Sequence, residues 1–133
     1  MISTVEEARQ YFEGDTYAMR TTGIKIEEAA ENYARVSLEI GPGHMNAGGR
    51  VMGAVYFTMA DFAFAVAANF KRKLTFTLAS QISFMAPARG KILFAEAKCV
   101  TDGRHICYYE IKVTDDLGTE VALVTSNGYR MDQ

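Results

Sequence analysis

Asp61 stands near the middle of the most apolar stretch of the chain, Gly53 to Phe70. Between Ala54 and Ala68 the only other non-apolar residues are Tyr56 and Thr58. It lies two turns inside a run that reads as a helix, too deep to serve as a cap. An unpaired carboxylate buried in such a place is expensive, so it implies a partner or a task. Either hydroxyls or a lysine or arginine from elsewhere satisfy it, or it is a general base or nucleophile whose pKa burial raises into a useful range. Gly53 opens the same helix. Its N–H is free of intrahelical partners, its missing side chain lets a ligand approach the backbone, and the helix dipole favours negative charge there, as an oxyanion site requires. Eight residues separate the two, about 12 Å along a regular helix. One carbonyl cannot touch both on a single chain. A shared site therefore needs Gly53 and Asp61 from different copies, or a distorted helix, and a two-fold dimer would carry two such sites.

His44 and Asn46 precede the glycines Gly48 and Gly49 in the loop leading to this helix. Nothing offers His44 a second metal ligand at useful spacing, so no metal is expected, and His44 reads as a loop residue while Asn46 is a site candidate. His105, beside Gly103, reads as solvent-exposed. Cys99 and Cys107 lie equidistant from Gly103 and would face each other in a symmetric hairpin, but they read as two small buried apolar groups. The chain has no Gly-x-Ser-x-Gly elbow, phosphate loop or dinucleotide fingerprint, so no cofactor is expected.

The elements that position these residues follow from periodicity. A short helix starts at Ser3 or Thr4, carries Val5, Ala8, Tyr11 and Phe12 at helical spacing and stops at Gly14, with a further turn around Tyr17 to Met19. Strands are predicted over 23–28 and 33–40, then the helix over 53–70, apolar all round and so wrapped on every side. Long strands follow over 75–86, 91–101, 106–115 and 120–131, separated by Pro87–Gly90, Asp102-Gly103 and Asp116–Gly118. This is an α+β arrangement, an antiparallel sheet curled around a buried helix, in a single unit covering 1–133.

Composition sets the outer limits. The chain has 133 residues, 49% of them hydrophobic, a formal charge of -2 and two cysteines. That is one soluble domain with no field to attract nucleic acid and no disulfide scaffold. The N-terminus is acidic where a signal peptide would be basic, and Asp61 argues against a membrane span. A reducing cytoplasm is the expected setting.

The run His44-Met45-Asn46-Ala47-Gly48-Gly49-Arg50-Val51-Met52-Gly53-Ala54, followed by Asp61, resembles the hotdog-fold thioesterases, and most of all their phenylacetic-acid-degradation (PaaI-like) branch. Ile82 to Ala88 looks like the strand end that follows in that family, and the order of elements matches over nearly the whole chain. The resemblance implies hydrolysis of an acyl-coenzyme A thioester by a homodimer or homotetramer whose sites lie between subunits. It implies that Asp61 attacks the thioester carbonyl or activates water, that the Gly53 N–H polarises the carbonyl, that Asn46 orients the nucleophile or water, and that Thr77 supplies a hydroxyl. The family's His-Gly-Gly is Met52-Gly53-Ala54 here, which removes a hydrogen-bonding side chain from the site wall at Met52 and narrows the approach at Ala54. Arg89 and Lys91, and Lys71, Arg72 and Lys73 at the helix end, are candidates for the phosphates of coenzyme A. Tyr56, Phe57, Phe62 and Phe64 line an apolar tunnel or fill the core.

Rival readings remain on the sequence. One is a non-catalytic acyl-coenzyme A binding or sensing protein of the same fold, motivated by Met52. Another is a hydratase or dehydratase, which has no helix histidine to work with. A third is a structural domain in which Asp61 pairs with a buried cation.

Overall fold

Six strands form one antiparallel sheet in the order β1-β2-β4-β5-β6-β3, from β1 (Lys25–Ala30) and β2 (Tyr33–Glu39) through β4 (Ile92–Asp102), β5 (Ile106–Asp115) and β6 (Glu120–Arg130) to β3 (Thr75–Phe84). The sheet curls around α2 (Gly53–Asn69), and α1 (Val5–Phe12) packs against β1. The computed structural model describes residues 1–72 and 74–131. The α+β expectation holds, and strand alternation placed the elements to within a few residues. Ala34, Val36 and Leu38, then Leu93, Ala95 and Ala97, then Cys107, Tyr109, Ile111 and Val113 all point into the core. Each large side chain buried there stabilises the fold by about 1.5–3 kcal/mol.

Alanines at 54, 60, 63, 65, 67 and 68 favour helix over α2. At its end the Asn69 side chain donates to the carbonyls of Ala65 and Thr75 and accepts from the Thr75 N–H, tying the helix to the start of β3. Buried Arg130 donates to the Ala68 carbonyl and to Asp102. Among the described residues no helix is long and apolar enough to cross a membrane.

Four expectations need correction. The turn around Tyr17 is a separate π-type turn, Tyr17–Thr22, closed by Gly23 in the left-handed region at φ 88°. His105 is half-buried and stacks on Tyr129 at 5.9 Å between ring centroids. Cys107 is buried but Cys99 is only half-buried, and a bulge between Cys99 and Thr101 pairs Cys99 with Tyr109 and Cys107 with Asp102, so the thiols do not face each other. Finally, α2 is not covered on every side. Ala54, Thr58, Asp61 and Ala65, at helical spacing, form a strip that is exposed or half-exposed within the chain, and Asp61 is on the solvent side.

Candidate active site

The loop before α2 is held by its own polar side chains. His44 accepts the Gly41 N–H on Nδ1 at 2.9 Å, and its Nε2 meets the Thr22 carbonyl at 2.7 Å, which fixes the ring as the Nε2–H tautomer. The His44 carbonyl then accepts the Met52 N–H at 2.9 Å. His44 is the loop residue that the sequence suggested. Asn46 Oδ1 accepts from the Gly48 and Arg50 N–H groups at 2.9 and 3.1 Å. Both lone pairs of that oxygen are therefore occupied, and Asn46 can act on a ligand only by donation from Nδ2. The turn it organises needs φ 79° at Gly49, a glycine conformation.

This loop delivers Gly53 to the first position of α2, where its N–H has no acceptor among the described residues. Gly53 lines a cleft of about 390 Å³ with Asn46, Arg50, Tyr56, Phe84 and Pro87. The Phe84 ring lies on the glycine: a β-carbon built at position 53 would come within 2.9 Å of Phe84 Cε1. Gly53→Ala is therefore expected to push that ring into the cleft and lower kcat/KM by roughly ten- to a hundred-fold, as a misplacement of about 1 Å does. Melting temperature should stay close to wild type, since Phe84 is 58% exposed and can move. Unchanged kcat/KM would show that Phe84 makes room for the methyl group without disturbing the cleft.

Asp61 lies elsewhere, in a second cleft of about 330 Å³ shared with Asp15, Tyr17, Thr58 and Phe62. Thr77 Oγ1 donates to its carboxylate at 3.3 Å. Protein replaces part of the water around the carboxylate at the base of this cleft. That desolvation holds its pKa above the usual carboxylate range; the Thr77 hydrogen bond opposes the shift and the Asp15 charge adds to it. Among the described residues no lysine or arginine pairs with Asp61, so the buried-cation reading finds no support.

Thr77 and Phe84 both reach α2 because β3 changes face. Its pairing with β6 slips between Thr77 and Ala79, so Thr75 and Thr77 share the inner face with Gly128 and Arg130, whereas Ser80, Ile82 and Phe84 share it with Ser126, Val124 and Ala122. Without that bulge Thr77 and Phe84 would point to opposite faces.

The remaining candidates are scattered. Met52 is half-exposed at the helix cap and Ala54 is exposed on the uncovered strip; neither lines the two clefts. Arg89 and Lys91 sit on the loop that follows Pro87, with exposed side chains outside the cleft walls. Asp115 and Asp116 hold that loop by its backbone, and Tyr56 OH accepts the Ala88 N–H at 3.1 Å. Arg72 pairs with Asp102 and Glu31 beyond the far end of α2, about 25 Å from Gly53 along a helix of 17 residues, so it does not serve this site. Lys71 shares that end, and Lys73 lies outside the described residues. Tyr56, Phe62 and Phe64 are buried in the core, although Tyr56 and Phe62 each show an edge to a cleft. Arg50, which the sequence reading passed over, is the cation that lines the Gly53 cleft. Its place three residues before Gly53 is the signal that could have found it.

Comparison with known proteins gives a consistent result. A family profile described as the thioesterase superfamily matches residues 48–122. A putative esterase of Archaeoglobus fulgidus is 31% identical over 97% of this chain and 84% of its own length. The acyl-coenzyme A thioesterase PaaI of Escherichia coli is 28% identical over 95% of this chain and 90% of its own. Among solved structures, PaaI of E. coli superposes with a TM-score of 0.88 at 23% identity, covering 96% of this chain and 94% of that one. A hypothetical thioesterase of Streptococcus pneumoniae, solved with coenzyme A, gives 0.83 at 19% identity over 92% and 98%.

Proposed function

The chain belongs to the thioesterase superfamily, and from that premise we propose that it hydrolyses acyl-coenzyme A thioesters in sites completed by two copies of itself. It is a thioester hydrolase of hotdog fold. The observation that carries the proposal is the separation of Gly53 and Asp61 on one undistorted helix, in two clefts that each hold half of what the reaction needs. β3 is an edge strand, with Phe76, Leu78 and Phe84 exposed along it and Met85 exposed just beyond it, and Phe84 lies against the start of α2. Pairing two copies along that edge covers these groups and sets the Gly53 cleft of one against the Asp61 cleft of the other. The names of the E. coli relative and the S. pneumoniae neighbour support coenzyme A thioesters as the substrate class.

In such a site the Gly53 N–H and the dipole of α2 stabilise the negative charge that develops on the thioester oxygen. Asp61 of the other copy takes a proton from water as its oxygen bonds the acyl carbon, or attacks that carbon itself to form an anhydride that water then hydrolyses. The carbon–sulfur bond breaks and the sulfur leaves as the coenzyme A thiol, taking up a proton; the acid leaves as its carboxylate. Thr77 steadies the Asp61 carboxylate, and Asn46 Nδ2 donates to the water or the carbonyl. Arg89 and Lys91 reach the coenzyme A phosphates, with the pantetheine arm passing Arg50 and Pro87.

Thiol release from short, medium, long and aryl acyl-coenzyme A thioesters tests the reaction. Co-expression tests the sharing of sites. Asp61→Asn and Gly53→Val chains are each inactive alone, but random pairing leaves one intact site in every mixed dimer and should restore about a quarter of wild-type activity. No restoration in verified mixed dimers would place both groups' work within one chain. Calorimetric binding of acyl-coenzyme A without thiol release would favour the sensing role that Met52 suggests.

A further inference from the structure

The hydrolytic reading has a consequence for product release. A thioester is neutral at its reacting end, whereas the acid that remains beside Asp61 after cleavage is an anion. The charged groups lining the Asp61 cleft are Asp61 itself and Asp15; no basic residue is among its described lining. The two carboxylates reach the space from different elements, Asp61 from α2 and Asp15 from the turn after α1. The Asp15 backbone is fixed on both sides, its N–H donating to the Phe12 carbonyl at 2.9 Å and its carbonyl accepting the Met19 N–H at 2.9 Å. Its carboxylate makes no hydrogen bond or ion pair among the described residues. The neighbouring Thr58 hydroxyl is engaged with the Ala54 carbonyl at 2.8 Å.

We propose, on the hydrolytic reading above, that Asp15 promotes product release: its fixed negative charge in the Asp61 cleft repels the newly formed acyl carboxylate and leaves the neutral thioester unopposed. The same charge adds to the desolvation that keeps Asp61 basic. Asp15 touches no reacting atom; it acts through the field it places in the cleft.

Asp15→Asn keeps the shape and removes the charge. The free acid of the best substrate should then inhibit more tightly by roughly three- to ten-fold, the effect of one charge within the same cleft in a water-like dielectric. KM for the neutral thioester should change less than about two-fold, and Asp15→Glu should restore the wild-type inhibition constant. In the wild type, raising ionic strength toward about 1 M should tighten inhibition by the acid, and in Asp15→Asn that salt effect should shrink. An inhibition constant unchanged by Asp15→Asn would overturn the proposal. So would a KM that falls in step with it, since that would mean Asp15 shapes the cleft rather than charging it. Absence of thiol release from every thioester by the wild type would instead overturn the hydrolytic reading, and this proposal with it.

Discussion

Asp61→Asn is expected to lower kcat for thioester hydrolysis by roughly 10²- to 10⁴-fold, the range for removing a positioned base. The fold should be untouched. Asp61 is on the solvent side of α2, and among the described residues its one side-chain hydrogen bond is the long one from Thr77 at 3.3 Å. A change of this kind alters stability by about 0.5 kcal/mol or less. The pH profile of the wild type is a second test. Because Asp61 binds its proton above the usual carboxylate range, log(kcat/KM) should fall with unit slope as pH drops, and begin to do so above the pH at which an ordinary aspartate would protonate. In Asp61→Asn the residual rate should lack that limb. Single turnover in ¹⁸O-water tests the nucleophilic role: label found in Asp61 means an acyl–enzyme anhydride opened at the Asp61 carboxyl carbon. Label confined to the product means that water attacks the acyl carbon, as base catalysis requires. Full activity in Asp61→Asn would remove the residue from the mechanism.

Asp115→Ala is expected to have the largest effect on stability, about 2–4 kcal/mol. The residue is 4% exposed. Its carboxylate accepts four backbone N–H groups: Arg89 and Gly90 on Oδ2, Leu117 and Thr119 on Oδ1. It ties the loop bearing Arg89 and Lys91 to the turn between β5 and β6, so its loss should also raise KM for coenzyme A thioesters. The hydrogen bonds hold its pKa far below the ordinary value even though burial opposes them. A carboxylate depressed on folding stabilises above its unfolded pKa of about 3.9 and loses that contribution as pH falls below it. Wild type should therefore lose stability steeply below pH 4, and Asp115→Ala should lose less over the same interval. Denaturant midpoints at pH 7 and pH 3 would measure both effects. Equal midpoints for the two proteins at pH 7 would show that the loop stands without Asp115.

Asp115 also shows where a sequence falls silent. It reads as an unremarkable end of a strand before Asp116-Leu117-Gly118, and nothing local says that a loop 25 residues earlier will bring Arg89 and Gly90 to its oxygens. Arg50 stands three residues before Gly53, but the cleft it lines is finished by Phe84 at the end of β3 and Pro87 just beyond it.

Local physics, by contrast, was legible. Alternation in β2, β4 and β5 set their inner faces, because one step along a strand turns the side chain over. The apolar run fixed α2, and helix rise alone separated Gly53 from Asp61 by too much for one carbonyl. The Asn46-to-Asp61 pattern identified the family. What the sequence could not supply was the relation between elements. It put Asp61 in a buried helix, whereas the sheet leaves one strip of that helix open; burial depends on what packs against a face, not on how apolar the neighbours are. It read β3 as one uninterrupted strand, whereas its slip against β6 turns both Thr77 and Phe84 toward α2, because register belongs to the pair of strands and not to either alone. Gly53, Asp61 and the helix rise between them were therefore legible in the chain. The walls of the two clefts they line were decided by the tertiary structure, because those walls come from elements distant in sequence.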